Sequence, residues 1–180
     1  MSAGNFDACL AFTLRPENDG QPYHVTANDP GGATAWGITM RTMSWFLQRT
    51  ATNDDLQNLT SDQCNYIYQK LYWRPLAGDE LPLGVDLLVF DFAVLAGVAA
   101  SARVLQSVAG VTQDGDIGLI TIEAVEHATD MLDVLPHAQI AHLRSLPDFA
   151  NFGDGWLRRN ADCVATAQQM VDTISSSSFT

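Results

Sequence analysis

The sequence predicts a single, mainly helical domain of the all-α class. Three observations carry that prediction. Apolar residues recur at three- and four-residue spacing along most of the chain, alternating strand patterns are scarce, and glycine, proline and asparagine concentrate in one early stretch. A chain of 180 residues suits one domain. With 47% hydrophobic residues and a mean hydropathy of zero, it can bury a sizeable core.

Phe6, Cys9, Leu10 and Leu14 mark one face of a first helix. Pro16 biases Arg15 away from helical angles, so that helix is expected to end just before Glu17. Residues 17–39 are rich in Gly, Pro, Asn and Asp and predict turns, with a small hairpin between Glu17 and Thr39. A second helix is expected over 41–49. Thr60 and Gln63 make a capping box ahead of Cys64, Ile67, Tyr68 and Leu71, which recur at helical spacing. Residues 87–95 are apolar nearly all round, as a central helix within an all-α core would be. Residues 98–108 predict the next helix, closed by Gly110. The turn Asp114-Gly115-Asp116 leads into a helix from about Ile120, and further helices are expected over 135–146 and 156–174. The serine run from Ser175 to Thr180 has nothing to bury and predicts a disordered tail.

Charge excludes several partner classes. The formal net charge is −12, with nine Lys and Arg. Phosphate backbones and anionic lipid surfaces repel such a chain, so nucleic acid is not expected as a partner. Cys9, Cys64 and Cys163 are odd in number and widely spaced, which fits buried free thiols better than a disulfide framework. His137 and His142 are five residues apart, off the i, i+4 face that metal pairs use, and neither a metal nor another cofactor is expected. Residues 1–5 lack the basic and apolar regions of a signal peptide. The longest apolar stretch, 81–102, is interrupted by Gly84, Asp86, Asp91 and Gly97, and no window approaches the roughly 20 residues of a spanning helix. The expectation is a monomer made soluble in the cytoplasm, without stable membrane insertion.

The segment that carries chemistry begins at Glu17. Asp29-Pro30-Gly31-Gly32-Ala33-Thr34-Ala35-Trp36-Gly37-Ile38-Thr39 follows within a few turns. Hydrolysis of a glycosidic bond needs an acid to protonate the leaving oxygen and a group that directs water or stabilises an oxocarbenium-like transition state. A carboxyl at a helix end, walled by Phe12 and Trp36, could keep its proton near neutral pH through desolvation. Asp29 and Thr34 could then hold water on the opposite side of the sugar. Asp29-Pro30-Gly31-Gly32 is equally a sound tight turn by itself, and spacing alone leaves both readings open. His24 either lines the cleft or is a solvated loop histidine. Of Trp36, Trp45, Trp73 and Trp156, most are expected in the core, with Trp36 as the cleft candidate.

The segment resembles the signature of glycoside hydrolase family 108. In that family a helix-end glutamate opens a Glu-Gly-Gly-Tyr motif, followed by Asp-Pro-Gly-Gly-x-Thr-x-x-Gly-Ile-Thr. The second half matches letter for letter from Asp29 to Thr39. Tyr72-Trp73-Arg74-Pro75 is similar to the family's Tyr-Trp-x-Pro. Phe90-Asp91-Phe92-Ala93-Val94 with Leu105-Gln106 resembles its central helix and the next. Asp114-Gly115-Asp116-Ile117-Gly118 with Thr121 resembles the start of its C-terminal half, and Phe152-Gly153-x-Gly155-Trp156-Leu157-x-Arg159 its closing helix. Three positions depart from the pattern: the loop from Asn18 to Tyr23 is longer, Leu95 stands for the usual Asn, and Val98 for the usual Pro.

The resemblance implies a lysozyme-like fold in one compact domain, 1–180. About 6–90 would form the half with the catalytic glutamate, about 91–174 a peptidoglycan-binding-like helical half, and 175–180 the tail. It implies N-acetylmuramidase activity on the β-1,4 bond between N-acetylmuramic acid and N-acetylglucosamine. Glu17 would be the acid. The order Glu, Asp, Thr also resembles inverting phage lysozymes of the T4 type, which gives Asp29 and Thr34 the water. Tyr23, as the displaced family tyrosine, His24, Trp36 and Gly37 are the substrate-binding candidates. The expected partner is the peptidoglycan glycan strand. The expected setting is a phage endolysin that acts in the periplasm after passing a holin-type pore. A bacterial muramidase assisting secretion of another protein is the alternative. A lytic transglycosylase and an inactive wall-binding relative are the alternatives in chemistry.

Overall fold

The computed structural model describes residues 4–15, 23–25 and 33–177, and helix dominates it, as predicted. Packing divides the chain into two units, Leu10–Lys70 and Met1–Cys9 with Leu71–Thr180. The first helix, α1, spans Phe6–Thr13. Its last turn tightens: the Leu14 amide donates to the Leu10 carbonyl (2.8 Å) and the Arg15 amide to that of Phe12 (3.2 Å). The helix therefore closes ahead of Pro16, where the pre-proline restriction places its end.

In the Leu10–Lys70 unit, β1 (Tyr23–Val25), β2 (Ala33–Ala35) and β3 (Ile38–Thr39) form an antiparallel sheet in that order. The predicted hairpin thus gains a third strand. Along β2, Ala33 and Ala35 are buried and Thr34 is half-buried, the two-residue period of a strand with one covered face. β3 runs directly into α2 (Met40–Leu47), whose N-cap is Thr39. Two short helices follow, α3 (Asn53–Gln57) and α4 (Ser61–Tyr68), each opened by a capping box: Thr52 with Asp55, and the predicted Thr60 with Gln63. α3 packs against β2. Its five residues are too few for an apolar period to show, which is why the sequence did not announce it. Met43, Leu56, Ile67 and Tyr68 are buried in this unit.

Beyond α4 a π-helical turn covers Gln69–Trp73 and a 3-10 turn Arg74–Leu76. Trp73 is buried with its ring edge-on to Phe6 and Phe90, both at 5.5 Å between centroids. Gly78 makes room for it, since a Cβ there would come within 2.4 Å of the indole. The central helix α5 (Val85–Ala96) is buried throughout 85–93. α6 (Val98–Ala109), α8 (Met131–Ser145) and α9 (Phe149–Ser177) pack on it, and α7 (Leu119–His127) packs on α6. Gly110 closes α6 at φ 71°, as predicted.

Buried polar groups in this unit tie the helices together. Ser101 Oγ donates to the Val89 carbonyl (2.7 Å) and Gln139 Nε2 to that of Leu88 (2.9 Å), while Asn160 Nδ2 donates to Gln139 Oε1 (2.9 Å).

Three helix boundaries differ from the sequence reading by more than two residues. α8 begins at Met131 instead of near 135 and carries Pro136 inside it, where a proline is normally read as a break. α9 begins at Phe149 instead of 156 and runs through Gly153 and Gly155. Gly153 is a packing glycine, with the Phe149 ring 2.8 Å from where its Cβ would stand. α9 also runs through Ser177, into the serine stretch expected to be a tail; residues 178–180 lie outside the described residues.

Candidate active site

Glu17 and Asp29, the predicted acid and water-directing carboxylate, lie outside the described residues. The predicted site residues that the structure does place share one sheet. Thr34 sits at the middle of β2, with His24 on β1 and Thr39 on β3 as its Cα partners; Tyr23 is partnered by Ala35. Successive strand residues point to opposite faces. The buried Ala33 and Ala35 therefore leave Thr34 on the more open face, a position from which a hydroxyl can reach a solvent or sugar oxygen.

Trp36 and Gly37 form the two-residue turn between β2 and β3. Both have positive φ, 47° and 72°, the type I′ pattern that matches the twist of paired strands. Glycine adopts that conformation freely, whereas an L-residue such as Trp36 is strained there by roughly 1–2 kcal/mol. Tyr68 on α4 holds the turn. Its Oη donates to the Trp36 carbonyl at 2.8 Å, and it is itself buried. The same Oη lies 2.9 Å from where a Cβ on Gly37 would stand. Gly37 is thus fixed twice, by the sign of φ and by the tyrosine hydroxyl. Thr39 ends the motif as the cap of α2, its Oγ1 accepting from the Thr42 amide at 3.2 Å. The described half of the Asp29–Thr39 motif is therefore a strand, a strained turn, a strand and a helix cap in seven consecutive positions. Trp36 stays half-buried, so part of its ring faces outward.

The sequence did not single out Tyr68. It read as one member of an apolar face, although a buried tyrosine hydroxyl needs a hydrogen-bond partner, and that need was the available signal. The Arg15 guanidinium lies 3.8 Å from the centroid of the Phe12 ring, the ring expected to wall Glu17, and donates to the Phe12 carbonyl at 3.0 Å.

The tryptophans also differ from expectation. Trp73 is the one in the core; Trp36 and Trp156 are half-buried and Trp45 is 42% exposed. Trp45 lies two residues from the buried Met43 on α2, hence on the opposite side of that helix. Cys9, Cys64 and Cys163 are buried free thiols. Burial pushes the Cys64 thiol up to about 12 and raises that of Cys9 as well, with Asp86 and Asp91 adding to the latter, so neither is a nucleophile at neutral pH. His137 Nδ1 lies 2.7 Å from the Asp133 carbonyl and His142 stacks edge-on to Phe92. Among the described residues no cluster could hold a metal ion, and no helix is long and apolar enough to cross a membrane.

In the other unit, the remaining motif segments meet. Asp91 on α5 and Arg159 on α9 form a two-pronged ion pair, beside which Leu95 and Trp156 line a nearly filled crevice. Gln106 Nε2 donates to Asp114 Oδ1 (2.6 Å), to the Asp116 carbonyl (3.0 Å) and to Thr121 Oγ1 (3.3 Å), while its Oε1 accepts from the Gly115 amide (2.9 Å). One glutamine thereby shapes the whole Asp114–Thr121 loop. The amide of Asp116, and then Gln106, hold the Asp114 carboxyl below its usual range.

The family model for glycosyl hydrolase 108 matches residues 11–97. Eleven chains of solved structures are similar to this one. One of them, the structure of Brucella abortus SagA, is 37% identical, covers 93% of this chain and 95% of its own, and superimposes with a TM-score of 0.82. No curated protein matches.

Proposed function

The chain belongs to the glycosyl hydrolase 108 family, and we propose that it is a peptidoglycan hydrolase, an N-acetylmuramidase with Glu17 as its general acid. The observation that carries this reading is the intact Asp29–Thr39 motif, whose described half is held by Tyr68 in a strained turn. Backbone strain that a neighbouring residue pins in place is typical of positions that serve a site. In the proposed reaction Glu17 protonates the glycosidic oxygen after N-acetylmuramic acid as the bond to N-acetylglucosamine breaks. Asp29 and Thr34 direct the water that attacks the anomeric carbon from the other side, an inverting course. Tyr23, His24, Trp36 and Gly37 line the sugar site, with the outward part of the Trp36 ring as a surface for a pyranose.

The setting we favour is a phage endolysin that reaches the periplasm through a holin-type pore and acts there on the wall as a monomer. The second reading is a bacterial muramidase that assists secretion of another protein, favoured by the bacterial source of the solved relative. Mass spectrometry of products from purified sacculi tests the chemistry. A reducing muramic acid end supports the hydrolase, a 1,6-anhydro end would make the chain a lytic transglycosylase, and no product would leave a wall-binding protein.

A further inference from the structure

We propose that the face between α2 and α4 is a second glycan-binding site, one that retains the chain on its polymer without taking part in bond cleavage. Two large aromatic side chains stand open there, Trp45 at 42% and Tyr66 at 48% exposure. Both line one groove of about 540 Å³. Phe46 lies against Tyr66, with 6.0 Å between ring centroids and a 56° tilt, which fixes the tyrosine ring as a platform. Exposed aromatic surface gathered in a groove marks a binding site more often than a chance feature of a soluble domain.

The polar lining specifies the occupant. Gln48 spends its Nε2 on the Trp45 carbonyl (2.6 Å), which leaves its Oε1 to accept. Gln63 spends its Oε1 on the Thr60 amide (3.0 Å), which leaves its NH₂ to donate. An N-acetyl group offers one N–H and one carbonyl, the complement of that pair. Asp62 lines the same groove, as does Lys70, the only lysine in a chain of net charge −12. Its cation complements a carboxylate carried by the polymer, and the apolar C–H face of a pyranose complements the electron-rich faces of Trp45 and Tyr66. These features together select an N-acetylated amino-sugar strand that bears carboxylates. That this strand is peptidoglycan rests on the function proposed above.

Retention on purified sacculi, measured in the Glu17→Gln background so that turnover does not release the chain, tests the site. Trp45→Ala with Tyr66→Ala should weaken retention about tenfold, on the order of two lost aromatic contacts. In the wild-type background the same pair of changes should leave hydrolysis of short soluble fragments unchanged. Lys70→Ala should weaken retention on sacculi but not binding of the neutral chitotetraose. Addition of chitotetraose to the wild type should shift the Trp45 indole N–H resonance, which reads the site with no variant at all. Retention of the folded double variant within about twofold of its parent, a margin set by assay error, would overturn the proposal. So would an unmoved indole resonance, or a dimer in sedimentation that the double variant dissociates while retention stays the same. Failure of the muramidase reading would appear separately, as a wild type that releases no product from the same sacculi.

Discussion

Arg159 grips Asp91 with two hydrogen bonds, Nε to Oδ2 at 3.0 Å and Nη2 to Oδ1 at 2.7 Å, with the carboxylate side chain 5% exposed and the guanidinium 18%. The pair locks α9 to the central helix α5. It also joins two segments that resemble the family pattern for no reason visible in sequence, 90–94 and 152–159. The charge of Arg159 is thereby spent inside the fold. Removing one partner of a buried pair costs about 3–5 kcal/mol, because a charge stays behind in a place that water does not reach. Arg159→Met should therefore destabilise the chain by that order, while Asp91→Leu combined with Arg159→Met should recover most of the loss. Urea unfolding of the three chains decides this, and an Arg159→Met chain as stable as wild type would mean that the pair does not stabilise the fold.

The turn at Trp36-Gly37 should respond to Tyr68. Tyr68→Phe deletes the hydrogen bond to the Trp36 carbonyl and should cost about 1 kcal/mol. Gly37→Ala should cost roughly 1–2 kcal/mol through its positive φ alone, and the tyrosine hydroxyl at 2.9 Å adds to that. If the turn positions the sugar, both variants should lose more in kcat/KM than the fraction unfolded accounts for. Activity that tracks only the folded fraction would confine Tyr68 to stability.

The helices were legible because their signals are local. The Thr60–Gln63 box, Gly110 and the all-apolar run of α5 each state their role within a few residues. Three kinds of feature were not legible. Pro136 and Gly153 lie inside helices because tertiary packing tolerates them there, which no local signal states. α3 was too short for a period. The support of the site was hidden because Tyr68 reaches Trp36 across 32 positions, and no spacing rule links residues that far apart. The motif itself was read from its letters, and the structure supplied the physical reasons for Gly37 and Thr39.

Raised thiol pKa values make stability depend on alkaline pH. The neutral Cys64 thiol is favoured in the folded chain up to about 12, against an ordinary value of 9.0, and Cys9 is raised in the same direction. A raised folded pKa gives stability that is fully present below the unfolded value. It is lost as pH climbs from 9.0 toward the folded value, because the unfolded chain then releases protons that the folded chain keeps. Melting temperature should fall between pH 9 and 11 in the wild type and fall less in Cys64→Ala. Parallel curves would show that burial of this thiol is not coupled to folding.

Salt should not weaken the enzyme. Arg159 is paired with Asp91 and Arg49 with Asp55, and Arg15 lies over Phe12. The nine Lys and Arg are outnumbered by 21 Asp and Glu, which leaves a chain of charge −12 facing an anionic wall. Added salt screens repulsion over roughly 10 Å at 0.1 M, so lysis of permeabilised cells should rise or stay level from low salt upward. A steep fall would mean that the remaining arginines gather into a patch that drives binding.

In the proposed reaction Glu17 supplies the proton to the leaving oxygen. The measurement is the rate of reducing-end release from purified sacculi by wild type and Glu17→Gln, with circular dichroism and urea unfolding run on both. An amide cannot donate that proton, and general acid catalysis contributes typically about 10²–10⁴-fold. A loss in that range with unchanged stability is expected. A Glu17→Gln chain that keeps the fold and cleaves within about threefold of the wild-type rate would contradict it.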